Sequence, residues 1–192
     1  MSPVAVIAIG ASLGGLRALE ILLAGLPPKL AASVAVTQHR RADPNSRLRE
    51  LLARSCALPL IEPEDKLPLE PGYVYLAPSD YHLLVERGRI ALSIDAPVQY
   101  ARPSIDVLFE SLADAYGPAA VGVMLTSASA DGAAGAAAIK RAGGRVIVQD
   151  PLSAESPIGP RAVIAATPVD AVLPLERIAG ELARLCAAQR AG

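Results

Sequence analysis

Short uncharged apolar runs alternate along this chain with stretches of helical periodicity. Residues 4–9 precede a helix-like stretch at 16–26, and residues 33–37 precede one at 45–55. The same order returns at 121–126 and 133–142, at 145–148 and 160–166, and at 171–173 with an amphipathic stretch at 175–187. The run Val4-Ala5-Val6-Ile7-Ala8-Ile9 shows no period-2 alternation, as expected of a strand covered on both faces. Repeated strand-then-helix order predicts an α/β fold, a doubly wound, mostly parallel sheet with helices on both faces.

Between Leu58 and Asp95 the runs shorten to residues 72–77, 82–86 and 89–94, with Arg87-Gly88 separating the last two. This stretch predicts an antiparallel hairpin inserted in the wound sheet. Residues 97–103 read as a loop. Ser104 is placed to cap a helix running to about Tyr116, with Ile105, Leu108, Phe109 and Leu112 on its apolar face. With no long linker, no repeat and no low-complexity tract beyond the alanines at 133–138, residues 1–192 are expected to form one domain.

Composition narrows the function. The 192 residues are 52% hydrophobic, and 18 basic against 19 acidic residues leave a net charge of −1. That balance offers no electrostatic footprint for nucleic acid or an anionic membrane surface. The apolar runs are too short or too interrupted to span a bilayer. Residues 4–13 lack a preceding Lys or Arg and contain glycine, unlike a signal peptide. Cys56 and Cys186 stand far apart outside any Cys/His cluster, so a reduced, cytoplasmic chain without a structural metal is expected.

The candidate chemistry begins at Gly10-Ala11-Ser12-Leu13-Gly14-Gly15, between a strand and a helix. A Gly-x-Ser-x-Gly turn lifts a serine oxygen above the strand end and aims the next helix's N–H groups at developing negative charge. Only His39 and His82 supply an imidazole. His39 follows the second strand as Ser12 follows the first, and Asp131 follows the strand at 121–126. Strand-end residues of a parallel sheet converge on one crevice, where Ser12, His39 and Asp131 have the residue types of an acyl-transfer triad. Other readings stay open at this level. The turn suits a phosphate group, His39 suits a strand-end hydrogen bond, and Asp131 suits an N-cap of the helix after Gly132. Asp106 competes as orienter, and His82 reads as a structural hairpin residue.

The order Ser, His, Asp departs from the usual hydrolase and serine-protease orders. The chain resembles, from about Val4 to Leu185, the catalytic domain of the CheB-type chemotaxis protein-glutamate methylesterases. The segments that carry the resemblance are 9–12 with Gly14-Gly15, Gln38-His39, 71–78, 102–109, 122–126, 131–133, and 148–150 with Pro160-Arg161. It implies that Ser12 attacks a glutamyl methyl ester, that His39 passes the proton to leaving methanol, and that Asp131 orients His39. It implies no cofactor and no metal, and as partners the methylated cytoplasmic helices of chemoreceptors alongside other chemosensory proteins. Family members also deamidate particular receptor glutamines. Leu13 and Ala128 fall where oxyanion donors are expected, and Arg102 and Ser104 fall near the active-site rim.

Ser127, Ala128, Ser129 and Ala130 stand where the family has a pattern near Gly-Met-Gly-Asn. A left-handed glycine position there would cost a serine about 1–2 kcal/mol. This departure raises a second expectation, a weakly active relative that serves as a binding module for a receptor or signalling partner. Family members often carry a receiver domain before the catalytic one. Met1 lies three residues before Val4, so control by phosphorylation in cis is not expected.

Overall fold

Val6 and Ala8 of the first strand face one apolar cluster, and the intervening Ile7 and Ile9 face another. The computed structural model describes residues 4–41, 43 and 47–187. The first half contains β1 (Val6–Ala11), α1 (Gly15–Ala24), β2 (Ser33–Gln38), α2 (Leu48–Ser55), β3 (Leu60–Ile61) and β4 (Val74–Leu76). A hairpin follows, β5 (His82–Glu86) and β6 (Arg89–Ser93), and then α3 (Ile105–Tyr116) and β7 (Ala120–Met124). The chain continues through α4 (Ala133–Arg141), β8 (Arg145–Gln149), α5 (Ile158–Ala166), β9 (Ala171–Leu173) and α6 (Leu175–Ala187).

Seven strands form one parallel sheet in the order β3-β4-β2-β1-β7-β8-β9. Leu19, Leu22 and Leu23 of α1, Leu52 of α2, and Ile178 and Leu182 of α6 cover one face. Leu108, Phe109 and Leu112 of α3, Ile139 of α4 and Val163 of α5 cover the other, with Leu83, Val85 and Ile90 of the hairpin. Helices on both faces explain the unbroken apolar strands. Among the described residues no helix is long and apolar enough to cross a membrane.

The chain leaves β1 towards β2 on one side and returns to β7 on the other. This order reverses at β1, and such a switch point opens a crevice at the carboxyl ends of the strands. Ser12 follows β1, His39 follows β2, and residues 125–132 follow β7, so all three candidate segments reach that edge.

Two features depart from the sequence reading. Residues 72–77 were expected in the antiparallel insert. Instead β4 lies in the main sheet, parallel to β2, with Val34, Ala35 and Val36 opposite Val74, Tyr75 and Leu76. The two-residue β3, parallel to β4, was not expected at all. Only β5 and β6 pair antiparallel, around Arg87-Gly88 with Gly88 at φ 76°. Of the helix expected at 45–55, residues 45 and 46 lie outside the described residues, and the helix begins at Leu48.

Candidate active site

Local hydrogen bonds pin the turn after β1. The Ser12 N–H donates to Thr126 O at 3.0 Å, and the Gly15 N–H donates back to Ser12 O at 2.9 Å. Thr126 Oγ1 donates to Leu13 O at 2.8 Å. Gly14, at φ 75°, begins α1 without a side-chain cap; a residue with a Cβ is strained in that left-handed conformation. At Gly15 a Cβ would overlap Gln38 Oε1. The Leu13 and Gly14 N–H groups meet no acceptor among the described residues, which leaves donors beside Ser12 at the positive end of α1.

His39 reaches Ser12 through the β1–β2 ladder. Ala11 lies opposite Gln38, and the His39 N–H donates to Ala11 O at 2.9 Å. The Gln38 side chain ties the two segments again, its Nε2 donating to Ser12 O at 2.8 Å and to His39 O at 3.0 Å. Ser12 and His39 line one cleft of about 860 Å³ with Leu13, Gly14, Gln38 and Glu155. The ring turns Nε2 to Asp131 Oδ2 at 2.6 Å, and its Nδ1 makes no hydrogen bond among the described residues. In the common serine-protease triad it is Nδ1 that meets the carboxylate, so the ring is turned the other way here. Ser12 Oγ shares the cleft without a hydrogen bond to the ring, as apo geometry often does.

Asp131 is fully buried. Besides His39, its carboxylate accepts from Ser104 Oγ at 2.8 Å, the Ile105 N–H at 2.7 Å and the Asp106 N–H at 3.0 Å. Burial opposes its ionisation, but the hydrogen bonds from His39, the two backbone N–H groups and Ser104 outweigh it and hold the carboxyl below its ordinary value. The N-terminus of α3 adds its dipole to the same end. Asp131 therefore stays anionic, as a group that steadies an imidazolium requires.

The match to known proteins decides the family. The family model for CheB methylesterase fits residues 7–182. This chain belongs to the CheB methylesterase family. It is 42% identical over 180 residues to a Leptospira interrogans protein provisionally named protein-glutamate methylesterase/protein-glutamine glutaminase, covering 93% of each. An Anaeromyxobacter dehalogenans protein of the same name is 41% identical over 95% of this chain, which spans 53% of that relative. The crystal structure of the Thermotoga maritima CheB methylesterase catalytic domain superposes with a TM-score of 0.90 at 31% identity, covering 96% of this chain and all of that one. The doubly wound sheet with its separate hairpin is the fold of that CheB domain, and the family is one of hydrolases acting on methyl esters.

Within this CheB-type site the remaining expected residues take different places. Leu13 is exposed on the cleft. Ala128 is exposed, and its N–H meets no acceptor among the described residues. Arg102 lines a second cleft of about 580 Å³ with His39 and Ser129, its guanidinium held by Asp80 at 2.7 Å and by the carbonyls of Ile94 and Asp95 at 2.8 and 3.0 Å. Ser104 is buried behind Asp131 rather than exposed at the rim. Asp106 does not face His39; its Oδ1 accepts the N–H groups of Gly132 and Gly135 at 2.9 and 2.8 Å. Asp131 is not the cap of α4, which begins at Gly132 without a side-chain cap bond from it. None of residues 127–130 has a positive φ, so the expected strain is absent. The segment is folded by Ser127 Oγ accepting the Ser129 N–H and Ser129 Oγ accepting the Asp131 N–H, each at 3.1 Å. The positioning contacts of Gln38, Thr126, Asp106 and His82 were missed in the sequence, where only the adjacency of Gln38 to His39 signalled any of them.

Proposed function

We propose that residues 1–192 act as one cytoplasmic catalytic domain that hydrolyses glutamyl methyl esters on chemoreceptor cytoplasmic helices to glutamate and methanol. Ser12 is the nucleophile, His39 the base and Asp131 its orienter. The 2.6 Å contact between His39 Nε2 and Asp131, on a ring that shares a cleft with Ser12, carries this reading.

Ser12 Oγ attacks the ester carbonyl carbon as its proton passes to His39 Nδ1. Asp131 stabilises the resulting imidazolium. Negative charge develops on the carbonyl oxygen, for which the Leu13 and Ala128 N–H groups are the donors at hand. The intermediate collapses, the carbon–methoxy bond breaks, and the leaving oxygen takes the proton from His39 to depart as methanol. Water, deprotonated by the same nitrogen, then attacks the Ser12 ester and frees glutamate. A glutamine side chain follows the same course with ammonia leaving. No step calls for a metal or cofactor. The reading as a weak, binding-only relative drew on strain in residues 127–130, and the absence of positive φ there removes that motive.

Mass spectrometry of a methylated receptor fragment tests the reaction. Incubation with the protein is expected to remove methyl ester groups and restore glutamate. A fragment whose mass is unchanged by the folded protein contradicts the proposal.

A further inference from the structure

His82 is the histidine that the reaction leaves unused, yet it is buried to 1% exposure at the start of β5. Its Nδ1 accepts the Ser104 N–H at 3.2 Å, and its Nε2 faces the Ala96 carbonyl at 3.2 Å. A backbone N–H only donates and a carbonyl only accepts. A neutral ring with its hydrogen on Nε2 satisfies both partners, and the opposite tautomer satisfies neither.

Ser104 is the point through which this ring reaches the site. It caps α3, its Oγ donates to Asp131 Oδ1 at 2.8 Å, and the next two N–H groups also end on that carboxylate. Three consecutive residues thus hold Asp131, and the first of them is held by His82. The hairpin is tied to α3 a second time by the Val85 N–H donating to Ser111 Oγ at 3.0 Å. Because β5 and β6 pair with no strand of the main sheet, these contacts link the hairpin directly to α3, that of His82 at its N-terminus and that of Val85 in its middle.

We propose that His82 is a positioning residue of the hydrolytic site, holding through the Ser104 N–H the helix end that orients Asp131 and, through it, His39. The proposal rests on the triad reading above for its effect on rate. Its structural half stands apart from that reading, which allows the two to fail separately.

Three substitutions separate positioning from bulk. In His82→Asn a side-chain oxygen takes the place of Nδ1 and still accepts the Ser104 N–H. In His82→Gln the polar head reaches the Nε2 place instead, and His82→Ala offers neither. With folding checked by circular dichroism, kcat for methanol release from a methylated receptor fragment is expected to fall about 10- to 100-fold in the Gln and Ala variants. KM should move little, and the Asn variant should stay within a few-fold of the parent. The second readout needs no substrate: the far-downfield proton resonance of the short His39–Asp131 hydrogen bond, assigned by its loss in His39→Gln. It is expected to persist in His82→Asn and to shift or vanish in the other two. A folded His82→Ala protein with that resonance unmoved overturns the proposal, as does one with unchanged kcat. Absence of methanol release from the parent protein overturns the triad reading instead, and the resonance then decides on His82.

Discussion

Asp131 and Asp106 exchange caps between two helices. Asp131, just before α4, accepts the N–H groups of Ile105 and Asp106 at the start of α3. Asp106, within α3, accepts those of Gly132 and Gly135 at the start of α4. Each carboxylate occupies the donors of the other's helix, so the two N-termini are locked at a set distance. Asp131 Oδ2 also meets His39, whereas Asp106 Oδ2 accepts from Gln99 Nε2.

Asp131→Asn should remove most of the activity. The amide turns a hydrogen-bearing nitrogen towards donors from Ser104, Ile105 or Asp106, and it no longer stabilises an imidazolium. A fall in kcat of about 10⁴ is expected. Steady-state methanol release checks it, and a loss below tenfold argues against the orienter role.

Asp106→Asn should instead stabilise the protein at neutral pH. Burial raises the Asp106 carboxyl above its ordinary value, against the Gly135 N–H, with the nearby Asp131 charge adding to the rise. Below the unfolded aspartate range both states are protonated and the charge costs nothing. As pH climbs through the raised folded value, the folded state comes to carry a buried charge that the unfolded chain holds in water. The asparagine keeps an oxygen for Gly132 and Gly135, and exposed Gln99 is free to reverse its amide. Urea unfolding at a series of pH values should give a stability gain over the parent that grows from acid to neutral pH. A constant difference contradicts it. Asp131 has the opposite sign: its depressed value contributes stability above the ordinary aspartate range, lost as pH falls through the folded value.

Gly15 and Gln38 should prove coupled. A Cβ at Gly15 displaces the Gln38 amide that joins the Ser12 and His39 carbonyls. Gly15→Ala is expected to cost about 1–3 kcal/mol and to lower kcat. Combining it with Gln38→Ala, which clears the overlap with the amide and leaves the 2.9 Å approach to Ala11 Cβ, should destabilise less than the sum of the single changes. Denaturant titrations of the four proteins measure this, and strict additivity contradicts it.

Ala128→Pro removes one proposed oxyanion donor. The expected loss is about 10²–10³ in kcat with little change in KM, while Ala128→Gly, which keeps the N–H, remains near the parent. A folded proline variant of full activity would move the oxyanion role to Leu13 and Gly14 alone.

The wound sheet was readable in the sequence because burial on both faces writes uninterrupted apolar runs such as residues 4–9. The strand-end rule then brought Ser12, His39 and Asp131 to one crevice without any knowledge of contacts. Residues 72–77 were misplaced because a three-residue strand flanked by Gly72 and Pro78 looks alike in a hairpin and at the side of a parallel sheet. Its partner residues in β2 lie forty positions earlier, and local pattern does not encode that pairing. Asp106 was mistaken for a rival orienter for a related reason: both carboxylates precede or open helices, and only packing of α3 against α4 decides which one meets His39. The partners that hold Arg102, namely Asp80, Ile94 and Asp95, come from a separate turn and from the end of the hairpin, so no local pattern announced them.

The proposed reaction depends on Ser12 attacking the ester. The most direct test compares methanol release from a methylated receptor fragment by the parent protein and by Ser12→Ala at matched folded concentration. Release by the parent and a loss of about 10⁶-fold in the variant, to the limit of detection, are expected. Equal release from the two proteins would contradict it.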